Sequence, residues 1–155
     1  MSGFVATATA AQLEPEVEND GWFPDIPLTG VREALRLDGT VTIARLRDAV
    51  AYAMDSANAQ LAAYKAAHVE AGVVGLQDVS AAQIGGEPRL VMLYRRAVHN
   101  LAHAELIERY RNLDATDSGM RRVLDMEPAI GELRRNASWA VRDILGQSRT
   151  VVELI

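Results

Sequence analysis

Between Pro88 and Leu113 the sequence reads PRLVMLYRRAVHNLAHAELIERYRNL, a helix-compatible run that any fold of this chain must accommodate. Pro88 suits the first turn of a helix, where its missing N–H costs nothing, and the next breakers come only with Asp114–Gly119. The run predicts one helix of about 26 residues, roughly 39 Å long at 1.5 Å per residue. Its apolar side chains, from Leu90 and Val91 through Tyr94, Ala97, Val98, Leu101 and Ala104 to Leu106, Ile107, Tyr110 and Leu113, cover more of the circumference than one amphipathic stripe needs. Such a helix is expected to be touched on two sides.

Two further helices can be read around it. From Thr42, a plausible N-cap, to Ala71, the residues Leu46, Val50, Ala53, Ala57, Leu61, Tyr64, His68 and Ala71 recur at steps of three and four, and Gly72 suits the left-handed position past a helix end. Alanines beside this face raise helix propensity and allow close approach of the central helix, predicted as its antiparallel partner. Pro128 opens a third helix whose stripe is Ile130, Leu133, Ala137, Ala140, Val141, Ile144 and Leu145, closed by Gly146. Trp139 lies off the centre of that stripe, either covering the edge of the core or marking a contact surface. Met120–Glu127 is left as either helical or disordered. Val31–Leu37 forms a short helix ended by Gly39-Thr40, and Ser80–Gln83 has a capping-box pattern that predicts one helical turn before Gly85-Gly86. The fold class is therefore all-α: a small bundle of three main helices, about 42–71, 88–113 and 128–145, plus short helices, with extended N- and C-terminal arms.

With 155 residues the chain fits one domain, which at this size buries roughly 70% of the surface of its unfolded form. Cysteine is absent, which excludes disulfides, thiolate zinc sites and cysteine nucleophiles. A formal net charge of -5 argues against a general basic surface for nucleic acid. No apolar run has the length needed to span a bilayer, so no membrane partner is expected. The first residues lack the basic leader of a signal peptide, and the chain is read as cytoplasmic and unprocessed.

The ends carry the unusual composition. Residues 1–21 are rich in Ala, Thr and acids without a sustained period and are assigned to a flexible arm. In Gly21–Leu28, Trp22 and Phe23 lie near two prolines that enforce extended backbone. Trp22, Phe23 and Ile26 either strap onto the chain's own core or anchor in a neighbouring subunit. A helical domain spans 22–147. Residues 148–155 switch to β-branched character, and Val151, Val152, Leu154 and Ile155 either fold back on the bundle or pair with another chain by strand addition.

A search for chemistry finds little. His99 and His103 lie four apart on one helix face, as helical metal sites require. A metalloprotease would need Glu after the first His, where Asn100 stands. A di-iron bundle needs Glu three residues before His, but Arg96, Asn100 and Lys65 occupy those offsets. No phosphate loop or nucleophile elbow is found around Gly85-Gly86 or any serine. No catalytic residue, cofactor site or metal-ligand set is assigned. The paired arginines Arg95-Arg96, Arg121-Arg122 and Arg134-Arg135 are read as solvated faces, or as charges that set register between subunits. Two other readings stand beside a structural role: a small helical metal-binding enzyme using the two histidines, and a cytoplasmic regulatory adaptor.

Several stretches together carry a family resemblance. Trp22-Phe23-Pro24-Asp25-Ile26, Val31-Arg32, Arg36-Leu37 and Ala44–Ala49, followed by Glu108–Arg111, Trp139–Arg142 and Thr150–Ile155, resemble in order the head completion protein (gene L product) family of temperate phages with contractile tails. The likeness runs from about Trp22 to Ile155, and Ile43 stands where relatives can carry a helix-starting Pro. It implies a non-enzymatic connector or adaptor at the head–tail junction of the virion, made in the host cytoplasm. Such a protein forms a ring under the portal, seals the DNA-filled head and provides the docking surface for the tail. The partners implied are the portal protein, neighbouring copies in the ring and the next connector or tail-terminator protein, with DNA passing without sequence-specific binding. Docking residues expected on this reading are Trp22, Phe23, Ile26, Val151, Val152, Leu154 and Ile155, and no cofactor is needed.

Overall fold

A computed structural model describes residues 14–113 and 117–148. The chain begins with a strap whose β1 (Glu16–Val17) pairs antiparallel with β2 (Ile26–Pro27), Val17 opposite Ile26. Helices α1 (Leu28–Leu35), α2 (Ile43–Gln60) and α3 (Ala62–Glu70) follow. A 3-10 turn at Leu76–Asp78 and a hairpin of β3 (Gln83–Ile84) and β4 (Glu87–Pro88) then lead into α4 (Arg89–Leu113) and α5 (Asp117–Ile144). The architecture is mostly helical, with two small two-stranded sheets that the all-α expectation lacked.

The central helix is α4, and it packs against both α2 and α5. Leu90, Val91, Leu93, Tyr94, Ala97, Val98, Ala102, Ala104 and Leu106 are all buried along it. The expected two-sided contact is thus realised, with small residues such as Ala97 and Ala102 permitting close helix approach. The third stripe is also observed: Ile130, Ala137, Ala140, Val141 and Ile144 are buried, and the chain leaves α5 through Gly146 at φ 67. Gln147 N–H donates to the Arg142 carbonyl at 2.9 Å, closing the helix in the manner of a left-handed glycine cap. The helix starts earlier than Pro128, however, and includes Met120–Glu127.

The predicted helix over 42–71 is two helices. Thr42 does cap the first, its Oγ1 accepting from Arg45 N–H at 3.3 Å, and Leu46, Ala49, Val50, Ala53, Met54 and Ala57 form the buried face. At Leu61 the backbone leaves helical geometry, with φ -101 and ψ 6, while its side chain is fully buried. No residue of α3 is buried, so α3 has no face seated deep in the core. Instead its Tyr64 and His68 are half-buried against Trp22, at ring-centroid distances of 6.4 and 6.3 Å. The predicted turn over Ser80–Gln83 is also displaced. The 3-10 turn occurs at Leu76, and Gln83 instead opens a hairpin whose two turn residues, Gly85 and Gly86, have φ 61 and 81. That pair of positive φ angles is the type I′ requirement, which glycines meet without strain.

From Glu14 onward the N-terminal stretch is packed, and 14–21 is not part of a free arm. Glu14 pairs with Arg32 at 2.6 Å, and the same guanidinium donates to the carbonyls of Asp38 (2.8 Å) and Val41 (2.9 Å). Arg32 thereby ties the strap to the turn after α1, where Arg36 adopts φ 52 and Leu37 N–H bonds the Arg32 carbonyl. Truncating the strap's largest anchor, Trp22→Ala, is expected to cost about 3–5 kcal/mol in urea unfolding, the range for large aromatic deletions in cores. The urea dependence of the unfolding free energy should stay unchanged if only stability is lost.

Candidate functional site

Among the described residues, a closed set of side-chain hydrogen bonds lies where the strap meets α2 and α4. Tyr94 O–H donates to Asn58 Oδ1 at 2.6 Å, Asn58 Nδ2 donates to Asn19 Oδ1 at 2.8 Å, and Asn19 Nδ2 donates back to the Tyr94 oxygen at 2.9 Å. The three side chains close a ring in which each is both donor and acceptor, so each bond polarises the next. Asn19 Nδ2 also reaches the Pro24 carbonyl at 3.0 Å, and Asn19 N–H is held by Asp25 Oδ1 at 2.7 Å. Burial pushes the Tyr94 phenol well above its ordinary pKa, which keeps the ring's donor protonated.

Next to this ring the chain makes an Asx turn. Asp20 Oδ1 accepts the amides of Trp22 and Phe23, both at 3.0 Å, with Gly21 between them at φ 83. Burial by itself would raise the Asp20 pKa, but Lys65 at 2.7 Å and the Phe23 and Trp22 amides outweigh it and hold the carboxyl below its usual value. Phe23 stacks on Tyr94, rings 4.9 Å apart and 10° from parallel, and Trp22 meets Phe23 edge-on at 4.8 Å. The Trp22 indole N–H donates to the Val73 carbonyl at 3.1 Å, and Leu76 N–H donates to the Trp22 carbonyl at 2.9 Å. The aromatics of the strap therefore fasten the loop after α3 as well as the bundle.

Trp22, Phe23 and Ile26 are 4%, 3% and 0% exposed and pack within the core of the single chain. Val151, Val152, Leu154 and Ile155 lie outside the described residues. Asn19, Asn58 and Tyr94 were not legible as a group, because they are dispersed along the chain and none of them sits in a recognisable motif. The faint signal available was an Asn on the buried margin of an otherwise Ala-rich helix.

His99 and His103 are half-buried on α4. Burial lowers both pKa values, and the neighbouring Arg95 lowers that of His99 further. Among the described residues no three metal-ligating side chains come together. Of the paired arginines, Arg95 meets Glu87 at 2.9 Å, Arg134 meets Glu108 at 2.7 Å, and Arg135 lies over Trp139 at 5.0 Å, while the side chains of Arg121-Arg122 lie outside those described. Exposed apolar side chains are scattered, Tyr52 at 61% and Val74 at 76% being the most open. Arg109 lies over the Tyr52 ring at 5.1 Å, itself paired with Glu105 at 2.7 Å.

Among the described residues, the hydrogen bonds of Asn19, Asp20, Trp22, Asn58 and Tyr94 hold the strap, the loop after α3 and the helical body in one arrangement. Residues 17–155 match the family model of the phage head completion protein (GPL), and the chain belongs to that family. It is similar to the head completion/stabilization protein of Escherichia phage P2, being 41% identical over 153 residues that cover 99% of this chain and 90% of the P2 protein. No solved structure matches it. The family is one of phage structural proteins and not of enzymes, so the chain acts in head assembly as a virion component in contact with other virion components.

The histidines supply a pH test. Their folded-state pKa values are lowered, so as pH falls below the ordinary histidine value of 6.5 the unfolded chain takes up protons first and stability declines. The urea midpoint is expected to drop between pH 7.5 and pH 5.5, and the double substitution His99→Gln, His103→Gln is expected to flatten that dependence. An equal drop in the double variant would assign the effect to other groups.

Proposed function

We propose that the protein is a head–tail connector that forms a ring beneath the portal, seals the filled head and presents the surface on which the tail docks. The observation that carries this reading is the family match over residues 17–155, nearly the whole chain, joined to a body whose large aromatics are already satisfied internally. With Trp22, Phe23 and Ile26 buried, docking falls to groups that a neighbour can reach. The apolar segment Val151–Ile155 is the best of these, since strand addition to a partner's sheet edge would use its backbone and its branched side chains together. On this reading Trp22, Phe23 and Ile26 contribute by keeping the strap rigid, not by inserting into the portal.

Charge supports passive passage of DNA. With a formal net charge of -5 the subunit offers no general phosphate-binding surface, so a ring of copies would repel a genome in its channel rather than grip it. Sequence-specific DNA binding is not part of the proposal. The partners are the portal, adjacent copies and the next connector or tail terminator.

Electron microscopy of the protein mixed with the portal of the same phage is expected to show a ring of added density at the outer end of the portal. Deleting Val151–Ile155 should leave a helical protein with an unchanged circular dichroism spectrum that no longer joins the portal. If the shortened protein still completes heads, the segment is not the docking element.

A further inference from the structure

From Ala57 to Tyr64 the chain contains no Pro, Gly or Ser, the residues that commonly kink a helix, yet α2 and α3 are separate helices. The interruption is confined to Leu61, whose φ of -101 and ψ of 6 lie about 40–50° from helical values. Backbone hydrogen bonds run up to the joint and resume after it: Leu61 N–H donates to the Ala57 carbonyl at 3.1 Å, and Lys65 N–H donates to the Leu61 carbonyl at 2.9 Å. Ala62, Ala63, Ala66 and Ala67 give the segment beyond the joint strong intrinsic helix propensity. Local sequence thus favours one straight helix, and the bend is imposed from outside.

A small set of contacts with the strap holds it. Lys65 Nζ donates to Asp20 Oδ2 at 2.7 Å, the rings of Tyr64 and His68 lie against Trp22, and the Val73 carbonyl accepts the Trp22 indole N–H at 3.1 Å. No residue of α3 is buried, whereas Leu61 at the joint is fully buried and Trp22 beside α3 is nearly so. An element with so little buried surface opens at the low end of a protein's stability range.

We infer that α3 is a hinged flap over Trp22, pivoting at Leu61 between the bent state and a straight state in which residues 43–71 form one helix. Residues 72–75, which span roughly 13 Å when extended, give the slack for this movement before the buried Leu76. α2 and α4 run antiparallel, since Asn58 meets Tyr94 while Tyr52 meets Arg109. Arg89, the first residue of α4, is therefore level with about Ala63 of a straight helix, and residues 64–71 would reach ~12 Å past the start of α4. Straightening uncovers the Trp22 ring and carries Tyr64 and His68 clear of the body. The strap's largest aromatic, satisfied internally in the bent state, is reachable only in the straight one.

Lys65→Ala removes the ion pair but leaves the Asp20 turn, because the Trp22 and Phe23 amides bond the other carboxylate oxygen. In this variant the Trp22 indole N–H, one of two in the chain, is expected to exchange with solvent about fivefold faster, the scale of a lost exposed ion pair. The amides of Ala66–Glu70 are expected to keep their rates, since α3 stays helical in both states. Unchanged indole exchange would overturn the inference, and equal acceleration of those amides would overturn it in favour of melting. The chain has no cysteine, so nitroxides at Glu18→Cys and Glu70→Cys, both exposed positions, report the same movement as a distance. Two separate distances are expected, the longer gaining population when Lys65→Ala is added; one unchanged distance in both proteins sinks the idea. Both measurements use the free subunit, so their failure leaves the connector reading standing.

Discussion

The closed hydrogen-bond ring of Tyr94, Asn58 and Asn19 is the interaction on which the arrangement of this protein depends. It joins one residue from each of α4, α2 and the strap at the point where all three meet. Each member is half-buried or fully buried, so a broken ring would leave a polar atom with neither protein nor full water partner. The ring also sets the position of the Phe23 stack on Tyr94, and through it the orientation of Trp22. Trp22 in turn holds Val73 and Leu76, which lie in the connection that leads toward α4.

The break at Leu61 follows from the same geometry. A continuous helix over 42–71 would carry Tyr64 and His68 on along the axis of α2. Past the break at Leu61, Tyr64 and His68 lie against the Trp22 ring, and Lys65 pairs with Asp20. The large, buried Leu61 side chain is the pivot. The strap, α3 and the following loop therefore form one layer laid on the α2–α4–α5 bundle, held by rings and hydrogen bonds more than by buried aliphatic surface.

For a virion protein this division has a functional sense. The body packs Trp22, Phe23 and Tyr94 internally, and the exposed large apolar side chains among the described residues are spread along the chain from Ile43 to Ile84. Arg95 and Arg134, matched by Glu87 and Glu108, and Arg135 over the Trp139 ring place charge at fixed positions on the helices.

The amino-acid sequence by itself determined the helical class, the long central helix from Pro88, the α5 stripe and the glycine stops at Gly72 and Gly146. All of these are local: they follow from a period near 3.6, from proline at a first turn and from glycine at positive φ. The family was legible too, because collinear stretches from about Trp22 to Ile155 carry it over most of the chain. Only the tertiary structure decided whether Trp22, Phe23 and Ile26 faced inward, since burial depends on what the rest of the chain brings to the same place. Only it could show the break at Leu61, where packing overrides an unbroken helical pattern. The Asn19–Asn58–Tyr94 ring belongs to the same class of fact: hydrogen bonds between residues far apart in the chain leave no period and no spacing to read.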